Sequence, residues 1–141
     1  MKNRRFAIAS FVMLALTAAW GAQHAIAQTP TPPAGFKRTE LQRHDLAVAG
    51  REVVVARGEF QPGAAIPKHT HPGDEISYVL EGELTVEVDG KPPQKLKAGD
   101  SFFIPAGSPH LAKQAGKTAS VVLSTYVVEK GKPLVVPVAA K

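Results

Sequence analysis

Glycines recur at positions 50, 58, 63, 73, 82, 90, 99, 107 and 116, mostly eight to ten residues apart. Turn signals at that interval, with short β-branched runs between them, predict an all-β sandwich or barrel. From residue 28 onward, no stretch of twelve residues free of Gly and Pro carries a 3.6-residue apolar period. The Val-rich runs REVVVARGEF (51–60) and SVVLSTYVV (120–128) read as strands. ELTVEV (83–88) alternates, with Leu84, Val86 and Val88 on one face and Glu83, Thr85 and Glu87 on the other. Asp89-Gly90 predicts a tight hairpin turn after it. SFFIP (101–105) is a short apolar strand closed by Pro105, and KPLVVPVAAK (132–141), with two prolines, suits an edge or a trailing arm.

The first 27 residues read differently. Lys2, Arg4 and Arg5 precede an uncharged run from Phe6 to Trp20, and Ala25-Ile26-Ala27 offers small residues for cleavage. This is the pattern of a signal peptide, with a run short for a spanning helix. Cleavage after Ala27 predicts a periplasmic or secreted chain with no stable membrane insertion. Gln28 to Gly35 is then a Pro-rich tether, and residues 36–141 form the domain. The formal charge of +5 less these three leader cations leaves about +2, scattered singly, which argues against a nucleic-acid surface. With no cysteine, thiolate nucleophiles and Cys-ligated metals are excluded, and stability must come from a core or from oligomerisation.

Chemistry concentrates in KHTHPGDEISYVLEG (68–82). Residues two apart on a strand share a face, so His69 and His71 point together. Glu75 has the same parity, and Pro72-Gly73 interrupts the strand and lets the acid swing in. His110, after the stiff turn IPAGSP, is a fourth candidate. Two imidazoles and a carboxylate on one face suit Fe, Mn, Ni, Cu or Zn; the competing reading is a polar loop with exposed histidines. Of the four histidines beyond the leader, only His44 lies outside these two segments, and it reads as a surface residue.

GAAIPKHTHPGDEISYVLEG (63–82) resembles the first motif of the cupins: Gly63, His69, His71, Glu75 and Gly82 at the family spacing. GDSFFIPAGSPHLAKQ (99–114) is similar to the second, with Gly99, Pro105, Gly107 and His110, and with Gln114 where the family often has asparagine. The resemblance implies a double-stranded β-helix (jelly-roll) barrel of two antiparallel sheets. It further implies one divalent transition metal held by His69, His71, Glu75 and His110, and a homodimer. Four protein ligands on a six-coordinate metal leave two positions for water, dioxygen or a chelating substrate.

The expected function is an exported metalloenzyme of dioxygenase or isomerase/lyase type acting on a small oxygenated molecule. The alternatives are a metal-dependent small-molecule binding module without turnover, and a barrel whose metal is only structural. No catalytic residue follows from the sequence. Ser77 and Val79 share the parity of Glu75 and are expected to line the pocket, with Ile76, Tyr78 and Leu80 on the opposite face as packing. Of Phe102 and Phe103, one must face away. Lys113 is expected at the surface.

Overall fold

The computed structural model describes residues 32–139. The expected leader and residues 28–31 of the tether lie outside the described residues. Ten strands follow in order: β1 Phe36–Asp45, β2 Arg51–Phe60, β3 Ala65–Thr70, β4 Gly73–Glu81, β5 Glu83–Val88, β6 Gln94–Lys97, β7 Ser101–Ile104, β8 His110–Gln114, β9 Ser120–Glu129 and β10 Val136–Pro137. They form two five-stranded antiparallel sheets, β1-β2-β9-β4-β7 and β10-β3-β8-β5-β6. This is the expected all-β jelly roll. Among the described residues no helix is long and apolar enough to cross a membrane.

Alternation builds the core. Along β2, Glu52, Val54, Ala56, Gly58 and Phe60 are buried while the residues between them are half-buried. Leu84, Val86 and Val88 of β5 are buried, as their period-2 pattern requires. They meet Val79, Ile104 and Val122 between the sheets. A second cluster, Val54, Ala56, Tyr126 and Val128, packs at the other end against Leu134. Phe102 turns inward to these clusters, whereas Phe103 faces out and is 50% exposed.

The turn at Asp89-Gly90 is present, with Lys91 N–H donating to the Val88 carbonyl at 3.0 Å and Gly90 at φ 76°. It is not a two-residue hairpin, because β5 and β6 pair again only at Val86 and Gln94. Pro92 and Pro93 intervene, and neither has an N–H to give to the ladder. Val136 and Pro137 pair with Thr70 and His69 at a sheet edge. The proline is tolerated there because an edge position need not donate.

β1 has no apolar signature. FKRTELQRHD is charged throughout, yet it pairs along β2 from Phe36↔Phe60 to Asp45↔Glu52. Cross-strand pairing with the Val-rich β2 holds it as an edge strand, a role that local composition does not reveal.

Candidate metal centre

Pro72-Gly73 does more than bend a strand. It carries the chain from β3 in one sheet to β4 in the other, so Glu75 approaches the histidines from the facing sheet. Gly73 is required by proximity: a Cβ there would drive into the Val127 carbonyl oxygen. Its own φ is not positive, so the close approach rather than the backbone conformation selects glycine. In the second motif, Gly107 has φ 70° and donates its N–H to the His71 carbonyl at 3.0 Å. The adjacent Ala106 N–H donates to Asp74 Oδ1 at 2.9 Å. The two motifs are therefore tied by one backbone-to-backbone bond and one backbone-to-carboxylate bond.

His69 on β3 sits directly across from His110 on β8, and His71 follows one residue beyond the end of β3. Ring centroids are 4.2 Å apart for His69–His110, 4.8 Å for His69–His71 and 5.0 Å for His71–His110. All three imidazoles are buried, and each offers a ligand atom within 4.8 Å of the others. Their Nδ1 atoms point outward to carbonyl oxygens: Pro67 at 2.8 Å from His69, Leu134 at 2.6 Å from His71 and Ser108 at 2.9 Å from His110. A carbonyl only accepts, so each Nδ1 carries the proton. The Nε2 atoms then converge on one another, the orientation that metal-bound histidines use.

Glu75 completes the cluster. Its Oε2 is 3.0 Å from His71 Nε2 and 3.6 Å from His110 Nε2. Oε1 accepts from Ser77 Oγ at 2.7 Å and Ser124 Oγ at 3.1 Å. The two hydroxyls also lie 2.7 Å from each other, and two protons can serve only two of these three contacts. Burial works to raise the Glu75 carboxyl, but contacts with His110 and His71, and the Ser77 hydroxyl, outweigh it and hold the group well below the usual carboxylate range. Burial, aided by the neighbouring His110, pushes His69 down to about 4, so this imidazole is neutral at neutral pH.

With each Nδ1 on a carbonyl, Nε2 of His71 and of His110 is the ring atom turned to the Glu75 carboxylate. Among the described residues, buried His71 Nε2 has no hydrogen-bond partner despite its short distance to Oε2. A buried polar atom left without a partner is costly in a low-dielectric interior, and a cation between the ring nitrogens and the carboxylate would remove that cost. One divalent cation would satisfy all four groups at once, and an N₃O donor set suits a transition metal. The residues present therefore fit the group.

Above the cluster is a cavity of about 620 Å³ bordered by Phe36, Arg38, Ile66, His69, His71 and Tyr126. A second space of about 40 Å³ between the sheets shares Phe36, Arg38, Ile66, His69 and Tyr126 with it and is bordered by Glu75, His110 and Phe102. The larger volume is that of a typical small-molecule site. Ser77 and Val79, expected to line the pocket, border neither cavity: Ser77 is buried behind Glu75, to which it donates, and Val79 belongs to the core. Gln114 is remote from the cluster in its contacts: it accepts from Gly63 N–H at 3.1 Å and donates to the Thr118 carbonyl at 2.6 Å. Lys113 pairs with Glu87 at 2.9 Å, and His44 is exposed.

Sequence reasoning missed Arg38, Ser124, Tyr126 and Leu134. Tyr126 pairs across from Glu75 in the β4–β9 register and rests edge-on against His71 with centroids 4.8 Å apart. Burial and the Glu75 charge push its phenol well above the ordinary value. The only hint was its shared parity with Ser124 on β9, which says nothing without the register.

Residues 56–129, more than half of the chain, match the cupin domain family. The chain is a cupin. It is 44% identical over 84 residues to a germin-like protein of Morus alba, covering 56% of this cupin and 40% of that protein. Over 51 residues it is 41% identical to dimethylsulfoniopropionate lyase DddQ of Ruegeria pomeroyi, covering 36% and 25%. The solved structure of oxalate oxidase in complex with the substrate analogue glycolate superposes with a TM-score of 0.61 at 32% identity, over 79% of this cupin and 58% of that chain. The cupin spans well under half the length of these curated relatives.

Proposed function

We propose that this cupin is a metal-dependent enzyme that binds a small oxygenated molecule, of dioxygenase or isomerase/lyase type. The observation that carries the reading is the convergence of three buried imidazoles on one carboxylate beneath an open cavity. His69, His71, Glu75 and His110 are the proposed ligands. A divalent metal bound there would supply Lewis-acid polarisation of a substrate oxygen or a binding position for dioxygen. The carbonyls of Pro67, Leu134 and Ser108 fix the three rings, Ser77 and Ser124 fix the carboxylate, and Phe36 and Ile66 give the approach apolar walls. The similarity to an oxalate oxidase and to a dimethylsulfoniopropionate lyase supports an enzyme rather than a purely structural metal.

A second reading is a metal-dependent binding module without turnover. The scarcity of other proton-transfer groups favours it: apart from the four proposed ligands, Tyr126 is the titratable phenol in reach, and its proton is held tightly.

We further propose residues 1–27 as a cleaved leader, 28–35 as a tether and 36–141 as the barrel domain of a periplasmic or secreted chain. A homodimer is supported by the outer face of β4 and β7. There Ile76 pairs across from Phe103, and Ile76, Tyr78 and Phe103 remain 46%, 47% and 50% exposed. Adjacent exposed apolar side chains of this kind mark interaction surfaces.

Metal analysis of the purified chain, followed by oxygen-uptake and product screens with small oxygenated acids, tests the function. One equivalent of transition metal and turnover abolished in the His69→Ala, His110→Ala double variant are expected. Turnover that survives the double variant would sink the enzyme reading, and metal-dependent binding without product would favour the binding module.

A further inference from the structure

The cavity carries an unused cation. Arg38 on β1 borders both the outer cavity and the space that reaches Glu75 and His110. Its register partner is Gly58, and the ring of Phe36 fills the space a side chain there would take, 3.2 Å from the Cβ position. Phe36, two residues earlier on the same face, also packs on Phe60 with ring centroids 4.7 Å apart and lines the cavity beside Arg38.

The nearest acid on its own strand is taken. Glu40 is held by Arg43 through two contacts, Nε at 3.0 Å and Nη2 at 2.8 Å, and Arg43 also reaches Glu52. The other cation at the cavity mouth, Lys68, is paired with Asp89 at 2.5 Å. Among the described residues the half-buried Arg38 guanidinium has neither a hydrogen bond nor an ion pair from a side chain or backbone group. Glu75, the acid that borders the inner space, is committed to the two serines and the histidines. A partly desolvated cation left open toward a cavity that also carries Phe36, Ile66 and the histidines is a recognition element for an anion.

We propose that Arg38 is the anion-binding residue of this cavity, and that it selects a small carboxylate-bearing ligand whose anionic end pairs with the guanidinium while another oxygen faces the histidine cluster. The inference rests on the cavity's being a small-molecule site and names the class of molecule it takes. The planar fork of Arg38 matches a carboxylate bidentately. A phosphate, with nearly twice the charge, would call for more donors than this one unpaired cation.

The test is calorimetric titration of the full chain, its metal content measured beforehand, with malonate and succinate, with their neutral diamides, and with inorganic phosphate. The wild type should prefer each dicarboxylate to its diamide. Arg38→Gln should weaken dicarboxylate binding by about tenfold or more, the loss of a charge-assisted pair, and leave diamide binding unchanged. Arg38→Lys should recover part of it. Equal dicarboxylate affinity in wild type and Arg38→Gln, no wild-type preference over the diamides, or tighter binding of phosphate would each overturn the proposal. The wild-type comparison decides alone if a variant fails to fold. A carboxylate preference in a chain that takes up no metal would defeat the metal reading and leave Arg38 in its role. A metal-loaded chain without that preference does the reverse.

Discussion

His71 donates its Nδ1 proton to the carbonyl oxygen of Leu134 across 2.6 Å, although 63 residues separate them. The segment carrying Leu134 also packs on Val54, Ala56 and Tyr126, and two residues further it pairs with β3. The trailing arm is thus part of the candidate metal centre.

Truncation after Lys132 should therefore lower metal affinity by about 10- to 100-fold, the usual effect of losing a partner that orients a ligand. Leu134→Ala keeps the carbonyl and should cost stability but little metal affinity. Chelator-competition titrations and denaturation midpoints separate the two. Equal affinity in the truncated and full chains would remove the arm from the site.

Gly73→Ala should destabilise the fold by about 1–3 kcal/mol, as overpacking does. The added methyl would force β4 from the Val127 carbonyl of β9, two residues ahead of Glu75. Urea denaturation reads the loss, and metal content should fall with it. Gly63→Ala, where no atom lies within 4 Å but φ is +79°, should act through backbone strain alone.

The metal-free chain should become less stable as pH falls from about 6.5 toward 4. His69 has its folded value lowered to about 4 from an ordinary 6.5. Between those values the unfolded chain binds a proton that the folded chain refuses, so stability rises with pH across the window. The full contribution is about 3 kcal/mol. Thermal midpoints of wild type and His69→Gln, measured without metal from pH 4 to 7, check it; the variant should show a flatter profile.

Tyr78→Glu with Phe103→Glu should convert a dimer to a monomer without loss of metal. Both side chains lie on the outer face of the first sheet, away from Glu75. Sedimentation equilibrium decides; a wild type that is monomeric throughout the accessible concentration range removes the dimer.

Strand periodicity, the turns and the residue types of the cluster are legible in the chain without its fold. Alternation in ELTVEV, the glycine spacing and the parity of Ser77 with Glu75 are local properties, and pleat geometry converts them directly into faces. Spacing also singled out His69, His71, Glu75 and His110, because two short motifs carry them. What it could not supply was the sheet to which each strand belongs. Pro72-Gly73 reads as a bend in one strand, and only the pairing of β4 with β9 shows it to be a passage between sheets. Only the tertiary structure brought Tyr126, Ser124, Leu134 and Arg38 to the site. Each arrives through a long-range register or a backbone carbonyl, and neither leaves a mark on local composition. Arg38 lies on a strand with no apolar pattern, and its importance comes from what surrounds it: a glycine opposite, a phenylalanine beside it and acids already paired with others.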